Sequence, residues 1–192
     1  MKQQKFKRHR FFHFTTQFVH PKWFQTSPLE NWLNFVNSLS QVQILRREEE
    51  FVWHAGVLMS NHLHLLFSTQ CYNEHSLVLE LESVMMSKLN IQKTLFQRPL
   101  PCEPLEHLEH LRAAYKYIYR NPVEAGLTHK PELYPYSSLY LLLNKETPSI
   151  AHPFIDPLQL IQNLPQRLRW LNSQTHFGAS SFDFWQDQGL GF

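Results

Sequence analysis

The sequence predicts an α+β fold: a ferredoxin-like split β-α-β arrangement with a four-stranded antiparallel sheet, helices on one face and extra C-terminal helices. Three observations carry this. Residues 11–19 and 62–67 alternate side chains with a period of two, the mark of strands with one packed face. Leu29, Trp32, Leu33, Val36 and Leu39, and later Leu77, Leu81, Val84 and Met85, recur at helical spacing. Between strand-like residues 51–58 and 62–67, Met59-Ser60-Asn61 leaves room only for a turn, so the two form a hairpin. The resulting order is strand, helix, strand, strand, helix.

The first strand, residues 11–19, sets His13, Thr15 and Gln17 against Phe12, Phe14, Thr16 and Phe18. Ser27-Pro28-Leu29-Glu30 opens the first helix: Ser27 caps, Pro28 suits the first position, and Glu30 completes a capping box. That helix runs to about Leu45, and Arg46-Arg47-Glu48-Glu49-Glu50 reads as a solvated charge run. The hairpin follows, then a second helix over residues 76–92. A fourth strand is expected near residues 95–103. Pro99, Pro101 and Pro104 crowd it, so it belongs at a sheet edge and is short or irregular, because proline has no amide to donate. Leu108, Leu111, Tyr115 and Ile118 mark a third helix, which Pro122 is expected to end near Asn121. A loop over residues 129–135 leads to a short helix at 139–143. The chain divides into a domain of residues 1–145 and an extension of residues 146–192. Pro148, Pro153, Pro157 and Pro165 punctuate the extension around one or two short helices. Its role is open between packing on the domain and an outward contact through Arg167, Arg169 and Trp170.

A chain of 192 residues with 43% apolar content is long enough for a real core. Two cysteines, Cys71 and Cys102, and no apolar N-terminal segment speak against secretion, so a cytoplasmic protein is expected. No apolar run approaches the roughly 20 residues of a membrane span. The net charge is only +2, yet Lys2, Lys5, Lys7, Arg8, Arg10 and Lys22 all precede the first acidic residue, Glu30. Such an arm can neutralise phosphates, although basic tails without a partner are also common.

Two stretches carry chemistry. In Asn61-His62-Leu63-His64-Leu65-Leu66-Phe67, strand periodicity places His62, His64 and Leu66 on one face and Leu63, Leu65 and Phe67 on the other. Two adjacent imidazoles are a common start for a divalent metal site; taken alone, two polar residues on a half-exposed strand is the commoner case. In Tyr117-Ile118-Tyr119-Arg120-Asn121-Pro122-Val123-Glu124-Ala125-Gly126, Tyr117 and Asn121 lie four apart on one helix face. A tyrosine can serve as a covalent nucleophile and an amide oxygen can complete a metal shell; alone, the pair reads as a packed aromatic and a helix-end cap.

Taken together, the two stretches resemble the HUH single-tyrosine transposases, and most closely the REP-associated tyrosine transposases. The motifs are Leu58 to His64, Tyr117 to Gly126, and Tyr134-Pro135-Tyr136-Ser137-Ser138, in the family's order, and the resemblance covers roughly residues 10 to 145. It implies a metal-dependent single-strand DNA endonuclease and strand transferase acting at hairpin-type repeats. His62 and His64, with Asn121 as a third donor, would hold Mg²⁺ or Mn²⁺, and Tyr117 would form a 5′-phosphotyrosine. Lys5, Lys7, Arg8, Arg10, Lys22 and Arg120 are candidate DNA contacts, with Trp23 and Phe24 as candidate stacking surfaces, Trp23 reading equally as a core residue. The implied partner is single-stranded or hairpin DNA, and the assembly a monomer or homodimer. The chain departs from the family at Gln17, where an arginine is usual, and at Val19-His20-Pro21, where the family has an Asn-Asn-Arg run. Two other functions fit the same residues: a hairpin-binding protein that does not cut, and a hydrolase that uses water while Tyr117 is structural.

Overall fold

Alternation along the strands sets the architecture. The computed structural model describes residues 10–46, 51–70, 73–144 and 164–173. Strands β1 (Arg10–Gln17), β2 (Phe51–Leu58), β3 (His62–Thr69) and β4 (Cys102–Leu105) form one antiparallel sheet in the order β2-β3-β1-β4. Thus β1 and β3 are the inner strands, and Thr15 stands opposite His64 while Gln17 stands opposite His62.

One face carries Phe12, Phe14, Leu63, Leu65 and Phe67. Helices α2 (Pro28–Leu45) and α3 (Glu74–Lys88) cover it with Trp32, Phe35, Val36, Leu39, Leu77, Leu81 and Met85. Burying each large apolar side chain stabilises the fold by roughly 1.5–3 kcal/mol relative to exposure. The first helix starts as the sequence predicts, with Ser27 and Glu30 forming a reciprocal capping box. Between β1 and α2 lies α1 (Pro21–Gln25), a short helix that the sequence reading leaves out, capped by the His20 side chain.

The α+β class and the four-stranded antiparallel sheet are as predicted, but helices on one face describes only α2 and α3. Helix α4 (Leu108–Glu124) and α5 (Ser138–Asn144) pack on the other face, against Ala55, Val57 and Leu66, and α6 (Leu164–Asn172) lies against α4. That face is too apolar to be left to water, and Leu111, Ala114, Tyr115, Ile118 and Tyr119 of α4 supply its cover.

Several boundaries differ from the expected ones for identifiable reasons. Asn73 caps α3 two residues early, and Asn90 in the left-handed region follows its end. Pro122 does not end α4 but sits within it. The stop is at Gly126, at φ +69, where Leu127 N–H bonds to Pro122 C=O at 2.9 Å and Gly126 N–H to Val123 C=O at 3.0 Å, a Schellman closure. The fourth strand is confined to Cys102–Leu105, with an isolated bridge between Phe18 and Phe96 ahead of it. Buried Glu82 holds that approach by accepting the Leu95 and Phe96 amides at 2.9 and 2.8 Å and pairing with Arg98.

The Tyr-Pro-Tyr-Ser-Ser element lies against the free side of β2. Leu58 N–H bonds to Tyr136 C=O at 2.9 Å, the Tyr134 hydroxyl donates to Leu58 C=O at 2.8 Å, and Val57 bridges Ser137. Ser138 Oγ accepts the Gly56 amide at 2.9 Å and meets the Tyr119 hydroxyl at 2.8 Å, so one hydroxyl ties β2, α4 and α5 together. In the extension, α6 packs on α4: Trp170 stacks beside Tyr115, and buried Lys116 donates to Ser173 Oγ at 2.9 Å. Arg167 and Leu171 are buried as well, which places this helix in the packed layer.

Replacing Ser138 with Ala removes the acceptor of the buried Gly56 amide and the tie to Tyr119. The expected loss is roughly 1–3 kcal/mol in urea unfolding; an unchanged midpoint would show that the tie carries no stability.

Candidate active site

Because β3 is an inner strand, its two-residue period sends Leu63, Leu65 and Phe67 into one core and turns His62 and His64 toward α4. Across that face α4 presents Tyr117 and Asn121 from successive turns. The four predicted residues come together. His62 Nε2 lies 3.4 Å from Asn121 Oδ1, and the His62 and His64 rings meet edge to face at 5.1 Å. The Tyr117 ring stands edge-on to His64 at 5.3 Å. His62 Nδ1 is held by Asn61 Oδ1 at 2.8 Å, which directs Nε2 to Asn121. His62 and Tyr117 are half-buried at the mouth, whereas His64 and Asn121 are buried.

The sequence reading misses one member. His13, on β1, is 1% exposed; its Nε2 lies 3.2 Å from His64 Nδ1 with the rings nearly parallel. It also meets the Tyr117 ring edge to face at 6.0 Å. The parity of β1 already put His13 on the face away from Phe12 and Phe14. What sequence could not supply was the register that lays β1 beside β3. Across β4 its partner is Glu103, whose Oε2 is buried without a hydrogen-bond partner.

Burial decides the charge state. It holds His13 down to about 3, His64 well below the usual imidazole range and His62 below it, the last opposed by the Asn121 hydrogen bond. For His64 the neighbouring His13 and His62 act in the same direction. Neutral imidazoles cannot clamp a phosphate by charge, but their lone pairs can hold a cation. Burial also pushes the Tyr117 phenol up, against a smaller opposite effect of Asn121.

His62, His64 and Asn121 are donor types that a divalent metal takes. In an octahedral shell with ligands at roughly 2.1 Å, adjacent donors are about 3 Å apart, close to the separation of His62 Nε2 and Asn121 Oδ1. His64 Nε2 is buried with no hydrogen-bond partner. Among the described residues no three His, Cys, Asp or Glu side chains stand in metal-holding geometry, so the third donor would be the Asn121 amide.

Among the described residues the basic candidates do not gather here as a group. Lys5, Lys7 and Arg8 lie outside the described residues. Arg10 begins β1 opposite Thr69, at the far end from the Gln17–His62 pair, roughly 23 Å away at about 3.3 Å per residue. Lys22 is on α1, just beyond the His62 end. Arg120 turns away: it pairs with Glu124, Nε to Oε1 at 2.9 Å, and reaches the Leu171 carbonyl at 3.4 Å. Trp23 is core, stacked on Phe18 at 3.6 Å, while Phe24 is 56% exposed. Phe24 lines an apolar cleft with Met59 and Ser60, the turn immediately ahead of His62.

No family model matches the chain, and no curated protein matches it. Among solved structures, it is similar to a REP-associated tyrosine transposase bound to a REP hairpin, with a TM-score of 0.59 over 77% of this chain and 88% of that one. The two share a fold. At 17% identity the likeness is one of backbone architecture. Among the described residues no helix is long and apolar enough to cross a membrane.

Neutral buried histidines give stability a defined pH dependence. Unfolded, they titrate near 6.5; folded, His13 titrates at about 3 and the others below normal. Between these values the unfolded chain binds more protons, so stability falls as pH falls from about 6.5. A fully buried imidazole contributes of order 2 kcal/mol of loss by pH 5. Urea midpoints measured in EDTA should be lower at pH 5 than at pH 7.5, and His13→Gln should flatten the difference.

Proposed function

We propose that the chain is a metal-dependent single-strand DNA endonuclease and strand transferase of the HUH tyrosine type, acting at hairpin DNA through a 5′-phosphotyrosine. The observation that carries this is the convergence of His62, His64, Asn121 and Tyr117 from two elements onto one sheet face. The shared fold with a tyrosine transposase bound to a REP hairpin supports the choice of hairpin DNA.

In this reading His62, His64 and Asn121 hold Mg²⁺ or Mn²⁺. Bound there, the ion would withdraw charge from the scissile phosphate and fix its orientation. Asn61 and Asn121 orient His62, and the packed α4 fixes the angle from which the Tyr117 oxygen approaches. Tyr117 Oη attacks phosphorus and the bond to the 3′-oxygen breaks. The phenol loses its proton and the departing oxygen gains one. The phosphotyrosine keeps the phosphoester energy, so the 3′-hydroxyl can reverse the step on another strand without ATP. Burial disfavours the phenolate, so activation must accompany substrate entry. Phe24 and Lys22, at the His62 end, suit a single strand by stacking and phosphate pairing. The protein would act as a monomer or homodimer.

The test uses hairpin DNA from repeats flanking the coding region, labelled on either side of the cut, with Mn²⁺ and a denaturing gel. A protein-linked band carrying the 3′-side fragment is expected, and Tyr117→Phe should lose it while keeping hairpin binding. Cleavage by Tyr117→Phe would replace the covalent mechanism with water attack. Binding with no adduct from the wild type would make the protein a hairpin binder. His64→Ala should cut roughly a thousandfold more slowly, the loss of several kcal/mol of charge stabilisation; a rate near wild type would remove His64 from the metal site.

A further inference from the structure

We propose that His13 is a positioning residue: it accepts the Nδ1–H of His64, fixing the tautomer and ring angle that leave the His64 Nε2 lone pair free to hold the divalent ion. This rests on reading His64 as a metal ligand.

The geometry leaves two assignments for the 3.2 Å contact between His13 Nε2 and His64 Nδ1. If His13 donated, His64 would carry its proton on Nε2. If His64 donates instead, Nε2 presents a lone pair, the form a metal takes. Burial alone does not choose, because each assignment puts the remaining N–H on a buried ring nitrogen, His64 Nε2 in one case and His13 Nδ1 in the other; reading His64 as a metal ligand does choose. Imidazole ligands are generally oriented in this way, by a hydrogen bond from the ring nitrogen that does not bind metal. His13 is suited to the task because it is packed in place. It sits on an inner strand, 1% exposed, with its ring nearly parallel to that of His64. Asn61 plays the matching part for His62, bonding Nδ1 while Nε2 faces Asn121. Both ligands are thus held from behind by a neighbour that would not touch the ion.

The test reads the tautomer and the metal separately. Histidine-¹⁵N-labelled, metal-free wild type should show His64 protonated on Nδ1 in long-range ¹H–¹⁵N spectra. Titration should then give Mn²⁺ affinity roughly 10–100-fold weaker in His13→Leu. His13→Gln, whose amide oxygen can stand where Nε2 stood, should restore most of it. Wild-type His64 protonated on Nε2 would overturn the proposal without any variant, as would Mn²⁺ binding by a folded His13→Leu equal to wild type. A wild type that binds no Mn²⁺ would instead overturn the metal-centre reading itself, and the positioning role with it.

Discussion

Everything at the site depends on α4 being pressed against the sheet face that carries the histidines. A strand offers a side chain to a given face every second residue and a helix every third or fourth, so the two can share a pocket only where they are locked in one register. The lock here is partly apolar, through Tyr115, Ile118 and Tyr119 against Val57 and Leu66. It is partly polar, through the Ser138 hydroxyl that joins Tyr119 to Gly56. With those side chains facing the sheet, Tyr117 and Asn121 fall at the border of the contact, where they meet the imidazoles: Asn121 is buried and Tyr117 half-buried. A small rotation of α4 would send the phenol either into the core or into water.

The same burial that suits the histidines works against the nucleophile. Removing water keeps three imidazoles neutral, with lone pairs available, and also keeps the phenol protonated. The resting pocket therefore carries almost no charge. A phosphate entering alone would find no compensating cation on His13, His62, His64, Asn121 or Tyr117. A phosphate entering with a divalent ion would not disturb that balance as severely. Arg120, the nearest guanidinium in sequence, is already committed to Glu124 and the end of α6.

Much of this was readable from the residues because it depended on local rules. The Ser27 cap, the hairpin through Ser60-Asn61, the shared face of His62 and His64, and the i, i+4 pairing of Tyr117 with Asn121 each follow from spacing within one element. What escaped depended on distant partners. His13 became part of the site only through the pairing of β1 with β3. Pro122 was expected to end α4, but the Gly126 closure and packing on the sheet carried the helix past it. The position of α4 on the second face followed from the apolar character of Ala55, Val57 and Leu66, a sum over two strands that neither shows alone. Trp23 read equally as core or stacking surface and proved to be core, while Arg120, a plausible DNA contact by type, was claimed by tertiary partners.

The two margins of the sheet have a consequence for how copies of the chain could meet. Along the last residues of β2, the Tyr134 to Ser138 segment already takes up the outward-facing backbone groups. At the opposite margin β4 is only four residues long and contains Pro104, with Pro101 just before it. A foreign strand laid against either place would find its hydrogen-bonding groups poorly matched. Continuous intermolecular sheets, and the ordered aggregates that grow from them, are therefore discouraged at these places. Self-association through helical surfaces would avoid both places and leave the histidine face and its covering helix undisturbed within each copy.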